Sequence, residues 1–251
     1  MVPLIEIKNL SKAFGDMSVL DKVSLSVTDG ENLVLFGQSG TGKSVLLKCI
    51  VGLLEPDEGE IYFEGKSLLN LPIDELNEAR KKIGFLFQSA ALYDSMSVRE
   101  NLEFPLIRNF NFSESEREAK VKKVLEQVSL EDAIDKMPSE LSGGMKKRIG
   151  LARTIITEPK LILYDEPTTG LDPITTKEIS TLMNQLQHTL KISSIIVTHD
   201  LVCATIVADR ATVLKDSKLI FEGSLDELKS KDDKFLKNFF SSEVVEDQME
   251  K

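Results

Sequence analysis

The chain has 251 residues, of which 41% are hydrophobic and 29% are charged. These fractions lie near the globular average, so they exclude a disordered chain and favour one large domain or a domain with an inserted lobe. The formal charge of −10 argues against a nucleic-acid-binding protein, which normally carries a basic excess.

The N-terminal residues and the cysteines indicate a cytoplasmic protein. Residues 1–8 lack the basic and apolar regions of a signal peptide, and the longest apolar runs have strand length, far short of the ~18 apolar residues of a membrane span. Cys49 and Cys203 lie in apolar surroundings without a metal-binding or disulfide spacing. We therefore expect two buried free thiols in a reducing compartment.

The first third of the chain predicts short strands followed by a helix. Hydrophobic alternation at residues 4–7 and 23–27 is typical of half-buried strands, and the unbroken apolar run at 33–36 is typical of a buried central strand. A glycine-rich loop follows, and residues 44–53 have a helical pattern. This order is that of a strand–loop–helix unit.

The glycine-rich loop fits the pattern GxxxxGK[ST], which binds nucleotide phosphates. In this pattern backbone N–H groups surround the phosphates and the next helix presents its positive N-terminal end to them. The lysine neutralises phosphate charge, and the serine hydroxyl is a Mg²⁺ ligand. The predicted ATP-binding residues of this loop are Gly37, Gln38, Ser39, Gly40, Thr41, Gly42, Lys43 and Ser44.

The middle of the chain predicts a helical insertion, and the remainder returns to strand–helix alternation. Residues 89–139 are rich in Glu, Lys, Leu and Val with helical spacing, most clearly at 114–128. Strands are then predicted at 161–164, 193–197, 211–214 and 219–222, with helices at 175–189 and 201–208 between them. Such alternation favours a mostly parallel sheet with helices on both faces.

Two acids follow the apolar run at 161–164. Asp165 is placed to hold Mg²⁺, as the acid after this strand does in P-loop NTPases. Side chains alternate along an extended chain, so we expect Glu166 to point away from Asp165 and to polarise an attacking water. The sequence thus indicates nucleotide hydrolysis.

Residues 141–145, Leu-Ser-Gly-Gly-Met, resemble the LSGGQ signature of ABC ATPases. Further elements of that family match in order: Gln88 the Q-loop, residues 170–172 the D-loop, and His199 the switch histidine. Phe14 stands where the family places an aromatic that stacks on adenine, although core packing is the alternative for this ring. The run 146–148, Lys-Lys-Arg, is interpreted as a solvated helix face, with a partner contact as the alternative.

The resemblance implies an α/β fold: a RecA-like P-loop NTPase core with an N-terminal antiparallel β portion. Residues 1–240 would form the ATPase domain, with 88–140 as the inserted helical subdomain and 241–251 as a flexible polar tail. Two copies would close over Mg·ATP, so that Ser142, Gly143 and Gly144 of one chain reach the nucleotide of the other. Asp172 would also be a nucleotide-binding residue. Glu166, His199 and Gln88 would be catalytic, and Ser44, Gln88 and Asp165 would hold the metal.

Within the family, the chain is most similar to the ATPase of Mla/Mce-type lipid transport systems. This resemblance rests on Met145 in place of the usual glutamine, on the stretch 88–102 and on residues 172–175. It implies a homodimer bound to an integral membrane permease at the cytoplasmic face of the inner membrane, with lipid-carrier subunits as further partners. Amino-acid import, lipoprotein export and a soluble ABC ATPase acting in repair or on the ribosome are the alternatives.

Overall fold

The computed structural model describes residues 2–233 and residue 236. The strands are β1 (Ile5–Phe14), β2 (Met17–Val27), β3 (Asn32–Phe36), β4 (Glu58–Phe63), β5 (Lys66–Ser67), β6 (Ile83–Leu86), β7 (Leu161–Asp165), β8 (Ser193–Val197), β9 (Arg210–Lys215) and β10 (Lys218–Gly223). The helices are α1 (Lys43–Ile50), α2 (Ile73–Lys81), α3 (Val98–Asn109), α4 (Glu114–Gln127), α5 (Gly143–Ile155), α6 (Pro173–Leu190), α7 (Leu201–Val207) and α8 (Leu225–Ser230).

A six-stranded central sheet has the order β10-β9-β3-β8-β7-β6. Its strands from β9 to β6 are parallel, and β10 pairs antiparallel with β9 at the edge. Every residue of β3, β7 and β8 is buried, which explains their unbroken apolar runs. Since the strands are parallel, the loops after β3, β6, β7 and β8 meet at one edge of the sheet.

A second, antiparallel sheet has the order β2-β1-β4-β5. Strand β1 pairs with β2 at Ile5↔Val27 and with β4 at Ile5↔Phe63. The predicted α/β class, with a parallel core and an N-terminal antiparallel portion, is confirmed. The predicted strands at 4–7 and 23–27 were too short, because each extends through a hairpin tip that is more polar and exposed.

Two hydrophobic clusters lie on opposite faces of the central sheet, and β3 contributes to both. Val34 and Phe36 belong to the first cluster, which also contains the buried faces of α3, α4, α5, α6 and α7. Leu33 and Leu35 belong to the second, which contains α1 and the buried face of the antiparallel sheet. Alternation of side chains along the strand thus distributes one short segment between two interiors.

Helices α3 and α4 lie in the chain between β6 and α5. Each begins with a capping box, in which the serine and the glutamate three residues later bond each other's backbone N–H: Ser97 with Glu100, and Ser113 with Glu116. Such a cap contributes about 0.5–2 kcal/mol. The helices pack on the first cluster through their apolar stripes.

Two smaller sequence expectations concern cysteines and membrane spans. Cys49 and Cys203 are both free and buried, as expected. Among residues 2–233 and 236, no helix is both long enough and apolar enough to cross a bilayer. The predicted tail at 241–251 lies outside the described residues.

Candidate functional site

The loop between β3 and α1 forms a tight backbone cradle. Gly42 has φ +103°, and a Cβ added there would lie 2.6 Å from Val19 Cγ1 and 2.8 Å from the Val19 carbonyl oxygen. A Cβ on Gly37 would lie 2.6 Å from the carbonyl oxygen of Leu214. The hydroxyl of Thr41 donates to the carbonyl of Gln38 at 2.8 Å. Glycine is therefore required where the loop contacts β2 and β9.

Lys43 lies inside this cradle and is only 6% exposed. Its Nζ donates to the carbonyl oxygens of Gly37 at 2.6 Å and Gln38 at 3.0 Å. Burial lowers the pKa of Lys43, while the carboxylates of Glu166 and Asp165 oppose that shift. A buried ammonium held by neutral carbonyls is well placed to bind phosphate oxygens, since a charged acceptor gives a stronger hydrogen bond.

Ser44 and Asp165 meet although 121 residues separate them in sequence. The Ser44 hydroxyl donates to Asp165 Oδ1 at 2.7 Å, and Asp165 is 9% exposed at the end of β7. Within the described residues, no cluster of three or more His, Cys, Asp or Glu could hold a metal. A hydroxyl and one carboxylate fit Mg²⁺, which prefers oxygen and takes its other ligands from water and phosphate.

Glu166 begins a turn after β7 and does not continue the strand. Its φ is +51°, and its N–H donates to the Val197 carbonyl at 2.9 Å. The prediction that strand alternation orients this side chain was therefore wrong in its reason. A left-handed backbone conformation, which is uncommon for a residue with a Cβ, sets the direction of the Glu166 carboxylate.

The Glu166 carboxylate contacts both Lys43 and His199. Oε2 lies 2.8 Å from His199 Nδ1, and Oε1 lies 3.8 Å from Lys43 Nζ. Thr169 Oγ1 also donates to Oε2 at 3.3 Å. The carboxylate is 14% exposed and the His199 side chain 56%, so the pair lies at the site's opening to solvent.

His199 follows β8, and its neighbour Asp200 anchors the segment. Asp200 caps α7 by accepting from the N–H groups of Val202 and Cys203. It also accepts from Thr168 Oγ1 at 2.9 Å, which links the loops after β7 and β8. Sequence reasoning missed this link. An Asp followed by a helical pattern is an N-cap signal that could have revealed part of it.

Gln88 follows β6 and has an exposed side chain. In the described part of the chain, that side chain makes no hydrogen bond to Ser44 or Asp165. Its carbonyl oxygen accepts a hydrogen bond from Lys147 Nζ. The structure therefore brings the Gln88 backbone, rather than its amide group, into a defined contact.

The signature residues form the start of α5. Ser142 is the N-cap and accepts from the Met145 N–H at 3.3 Å, and both Ser142 and Gly143 are exposed. A Cβ on Gly144 would lie 2.8 Å from Thr175 Cγ2, so α5 begins directly against the start of α6. Exposed N–H groups at a helix N-terminus suit an anion, which satisfies unpaired donors there.

Asp172 caps α6. Its carboxylate accepts from the N–H groups of Ile174 and Thr175 and from the Thr175 hydroxyl, and the Thr175 bonds lower the pKa of Asp172. The structure thus gives this exposed carboxylate a role within its own chain. A nucleotide contact by Asp172 stays a prediction.

Phe14 lies at the tip of the β1–β2 hairpin and is 45% exposed. Lys12 Nζ lies 5.6 Å from its ring centroid. The alternative of core packing is therefore wrong for this ring. Because β2 also supplies Val19 against Gly42, the same hairpin borders the phosphate cradle.

The interpretation of residues 146–148 as a solvated face was wrong at Lys147, which is 6% exposed. Arg148 is also engaged, since it donates to the Val128 carbonyl at 3.2 Å and to Glu178 at 3.0 Å. The helical spacing could have predicted the burial of Lys147, because Lys147, Leu151 and Ile155 recur every four residues on the buried face of α5. By contrast, His188 on α6 is exposed.

Comparison with known proteins agrees with this geometry. A family model described as "ABC transporter" matches residues 20–169. The intermembrane phospholipid transport system ATP-binding protein MlaF of Haemophilus influenzae is 41% identical, over 96% of this chain and 91% of its own length. The probable ribonucleotide transport ATP-binding protein mkl of Mycobacterium leprae is 39% identical, over 96% of this chain and 70% of its own.

Two further similarities concern another cargo and a solved structure. The methionine import ATP-binding protein MetN of Brucella abortus is 37% identical, over 88% of this chain and 60% of its own length. The ATP-binding cassette MJ0796, solved as a dimer in a post-hydrolysis state bound to ADP and Pi, superposes with a TM-score of 0.80. That structure is 34% identical and covers 88% of this chain and 98% of its own.

Proposed function

Because this chain belongs to the ABC transporter family, as an ATP-binding and ATP-hydrolysing subunit, we propose that it powers phospholipid transport through a separate membrane permease. The observation that carries the cargo is the similarity to MlaF, which extends over nearly the full length of both chains. Amino-acid import is the second candidate, favoured by the similarity to MetN. Lipoprotein export has no supporting relative among those compared above.

The proposed ATP site is the cradle of residues 37–44. Its backbone N–H groups and Lys43 bind the phosphates, and the Phe14 ring stacks on adenine. Ser44 and Asp165 supply the hydroxyl and the carboxylate that hold Mg²⁺, with Gln88 reaching it from the loop after β6. When bound, Mg²⁺ neutralises phosphate charge.

Glu166 is the proposed general base. Its carboxylate lies next to the cradle and is not one of the two groups, Ser44 and Asp165, that are assigned to Mg²⁺. It can therefore orient a water and take up its proton. His199 lies 2.8 Å from the same carboxylate, and this contact keeps the acid directed towards the phosphate end of the cradle. We assign His199 the contact to the terminal phosphate, and Lys43 the neutralisation of charge on the opposite side.

The proposed active unit is a dimer of this chain. Ser142, Gly143 and Gly144 lie at the N-terminus of α5, where backbone N–H groups have no acceptor within the helix. In the dimer these groups would cap the terminal phosphate bound to the second copy. Asp172 is also exposed and lies at the start of α6, against which α5 begins. Similarity to the dimeric MJ0796 cassette supports this arrangement.

The proposed permease contact is an exposed apolar surface formed by Tyr93, Phe104 and Ile107, which are 45%, 37% and 59% exposed. The rings of Tyr93 and Phe104 lie 5.0 Å apart, which joins the loop after β6 to α3. The same end of α3 borders a groove of about 1040 Å³ lined on its other side by α2. Contact here would place the chain at the cytoplasmic face of the inner membrane and connect Gln88 to the permease; lipid-carrier subunits would complete the system.

Glu166→Gln tests the catalytic proposal. The substitution keeps the side-chain size and removes the base, so ATP hydrolysis should fall by about 10²–10⁴-fold while ATP affinity persists and a dimer accumulates. Turnover is measured by phosphate release and dimerisation by light scattering with ATP. Glu126→Gln, an exposed position on α4, is the matched control. Hydrolysis near the wild-type rate in Glu166→Gln would refute the assignment.

The cargo is tested separately, by purifying the chain from detergent-solubilised membranes and identifying its partners and bound lipid by mass spectrometry. A permease with phospholipid supports the proposal. A permease with an amino-acid-binding protein would favour import instead, and recovery of ribosomes or DNA would contradict transport altogether.

A further inference from the structure

Lys147 joins the signature helix to the loop that carries Gln88. The side chain is 6% exposed, and its Nζ donates to the carbonyl oxygen of Gln88. The same Nζ lies 3.5 Å from the carbonyl oxygen of Glu166. One ammonium on α5 therefore contacts the main chain of both residues that follow β6 and β7.

No carboxylate pairs with this ammonium among the residues that the structure describes. Burial lowers the pKa of Lys147, and the carboxylate of Glu166 opposes that shift. A buried charge is costly unless its donors are satisfied, and here the acceptors are the two backbone carbonyls. The hydrogen-bond acceptors of Lys147 are thus specific main-chain positions and not acidic side chains.

The loop after β6, which Lys147 contacts at Gln88, has a strained backbone. Ala90 and Ala91 have φ values of +59° and +47°, a conformation that costs energy for residues with a Cβ. Arg153, also on α5, donates to the carbonyls of both at 2.9 Å. A Cβ on Gly150 would lie 2.8 Å from Ala90 Cβ, so helix and loop are in direct contact. The loop keeps this conformation because α5 holds it.

Helix α5 begins at the residues that, in the proposed dimer, would cap a nucleotide bound to the second copy. A helix is rigid over the roughly one and a half turns between Ser142 and Lys147, so a shift of its N-terminus moves the ammonium with it. We propose that Lys147 is a positioning residue that couples closure of Ser142–Gly144 on ATP to the placement of Gln88 and Glu166. This inference rests on the proposed ATPase mechanism and adds a physical link between dimer closure and the catalytic groups.

The test uses Lys147→Met, which removes the charge and keeps the length, and Lys147→Arg, which restores a cation. Lys146→Met is the matched control, because the neighbouring side chain makes no hydrogen bond or ion pair in the described part of the chain. ATP affinity, kcat and KM are measured on full-length protein, with ATP-induced dimerisation followed in the Glu166→Gln background.

In Lys147→Met we expect kcat to fall by about tenfold or more, since small misplacements of catalytic groups cost that much or more. ATP affinity and dimerisation should stay within about twofold, because neither the cradle nor the cap is altered. Lys147→Arg should recover most of kcat. A merely structural lysine would instead lower the melting temperature and leave kcat and KM of the folded fraction unchanged.

An unchanged kcat in folded Lys147→Met would overturn the inference, as would an equal loss in Lys146→Met. If Lys147→Met does not fold, Lys147→Gln replaces it, since its shorter, uncharged amide can reach at most one of the two carbonyls and so breaks the joint contact; wild-type kcat there would also overturn the inference. Failure of the ATPase proposal is recognised independently, by absence of hydrolysis in the wild type or of a trapped dimer in Glu166→Gln.

Discussion

Replacing Lys43 by methionine isolates the role of the buried ammonium. Methionine has nearly the same length and no charge, so the cradle should keep its shape while its cation is lost. Lys48→Met is the control, because Lys48 lies in the last turn of the same helix, is half-buried and makes no side-chain hydrogen bond in the described part of the chain.

The expected loss follows from the hydrogen bonds that Lys43 makes. Nζ now donates to two carbonyl oxygens, at 2.6 and 3.0 Å, and redirecting both donors to phosphate oxygens would give two charge-assisted bonds. At about 1.5–3 kcal/mol each, their loss weakens ATP binding by about 3–6 kcal/mol. This corresponds to about 10²–10⁴-fold in Kd.

The stability of the nucleotide-free protein should change much less. Removing the ammonium leaves the Gly37 carbonyl without this donor, at a cost of about 1–3 kcal/mol, and relieves the burial of a charge, which acts in the opposite direction. We therefore expect guanidinium unfolding curves that differ by no more than about 2 kcal/mol.

Titration with a fluorescent ATP analogue gives Kd, and guanidinium unfolding without nucleotide gives stability. The reasoning is refuted if Lys43→Met binds ATP within about threefold of wild type, which is under 1 kcal/mol. A matching loss of affinity in Lys48→Met would also refute it, because the effect would then belong to the helix and not to the ammonium.

Three further predictions address other parts of the molecule. Ser142→Arg should block hydrolysis while each chain still binds ATP, and normal turnover of phosphate would contradict the two-copy site. Gly42→Ala should lower both stability, by at least about 1–2 kcal/mol of backbone strain, and ATP affinity, because its Cβ would meet Val19; unfolding and nucleotide titrations that match wild type would contradict this. For Glu31, burial alone would raise the pKa, but hydrogen bonds from Arg210 and Thr28 outweigh it and lower the pKa below 4.5. Its stabilising effect is thus present above that pH and lost as the pH falls through the lowered value, so Glu31→Gln should be less stable at pH 7 and converge on wild type in acid, as pH-dependent unfolding would show.

The elements that the sequence revealed are those with strong hydrophobic patterns. Strands β3, β7 and β8 are buried throughout, and the run at 193–197 matches β8 residue for residue. Helix α2 was not predicted, and the structure shows why: it buries none of its residues and so has no apolar stripe. Strand β4 buries only Ile61 and Phe63, which is a weak period-two signal.

The meeting of Ser44 and Asp165 could be expected, because Asp165 ends one parallel strand and Ser44 comes after the loop that follows another. The orientation of Glu166 could not, since alternation is informative only while the chain stays extended. Lys147 was predicted to be exposed because its side chain is charged. Its hydrogen-bond acceptors are backbone carbonyls, and the sequence does not show where such carbonyls lie. The second role of Asp172, as a helix cap, was hidden by its match to a family motif.

The partition of the interior by the central sheet separates two properties of the protein. Helix α1 and the antiparallel sheet, which border the proposed ATP cradle, share one interior with Leu33 and Leu35. Helices α3, α4 and α5, which would face the other copy and the permease, share the other with Val34 and Phe36. Repacking on one side leaves the opposite interior intact. Divergence among relatives with different cargoes can therefore accumulate behind the proposed permease surface without repacking the interior that lies beneath α1.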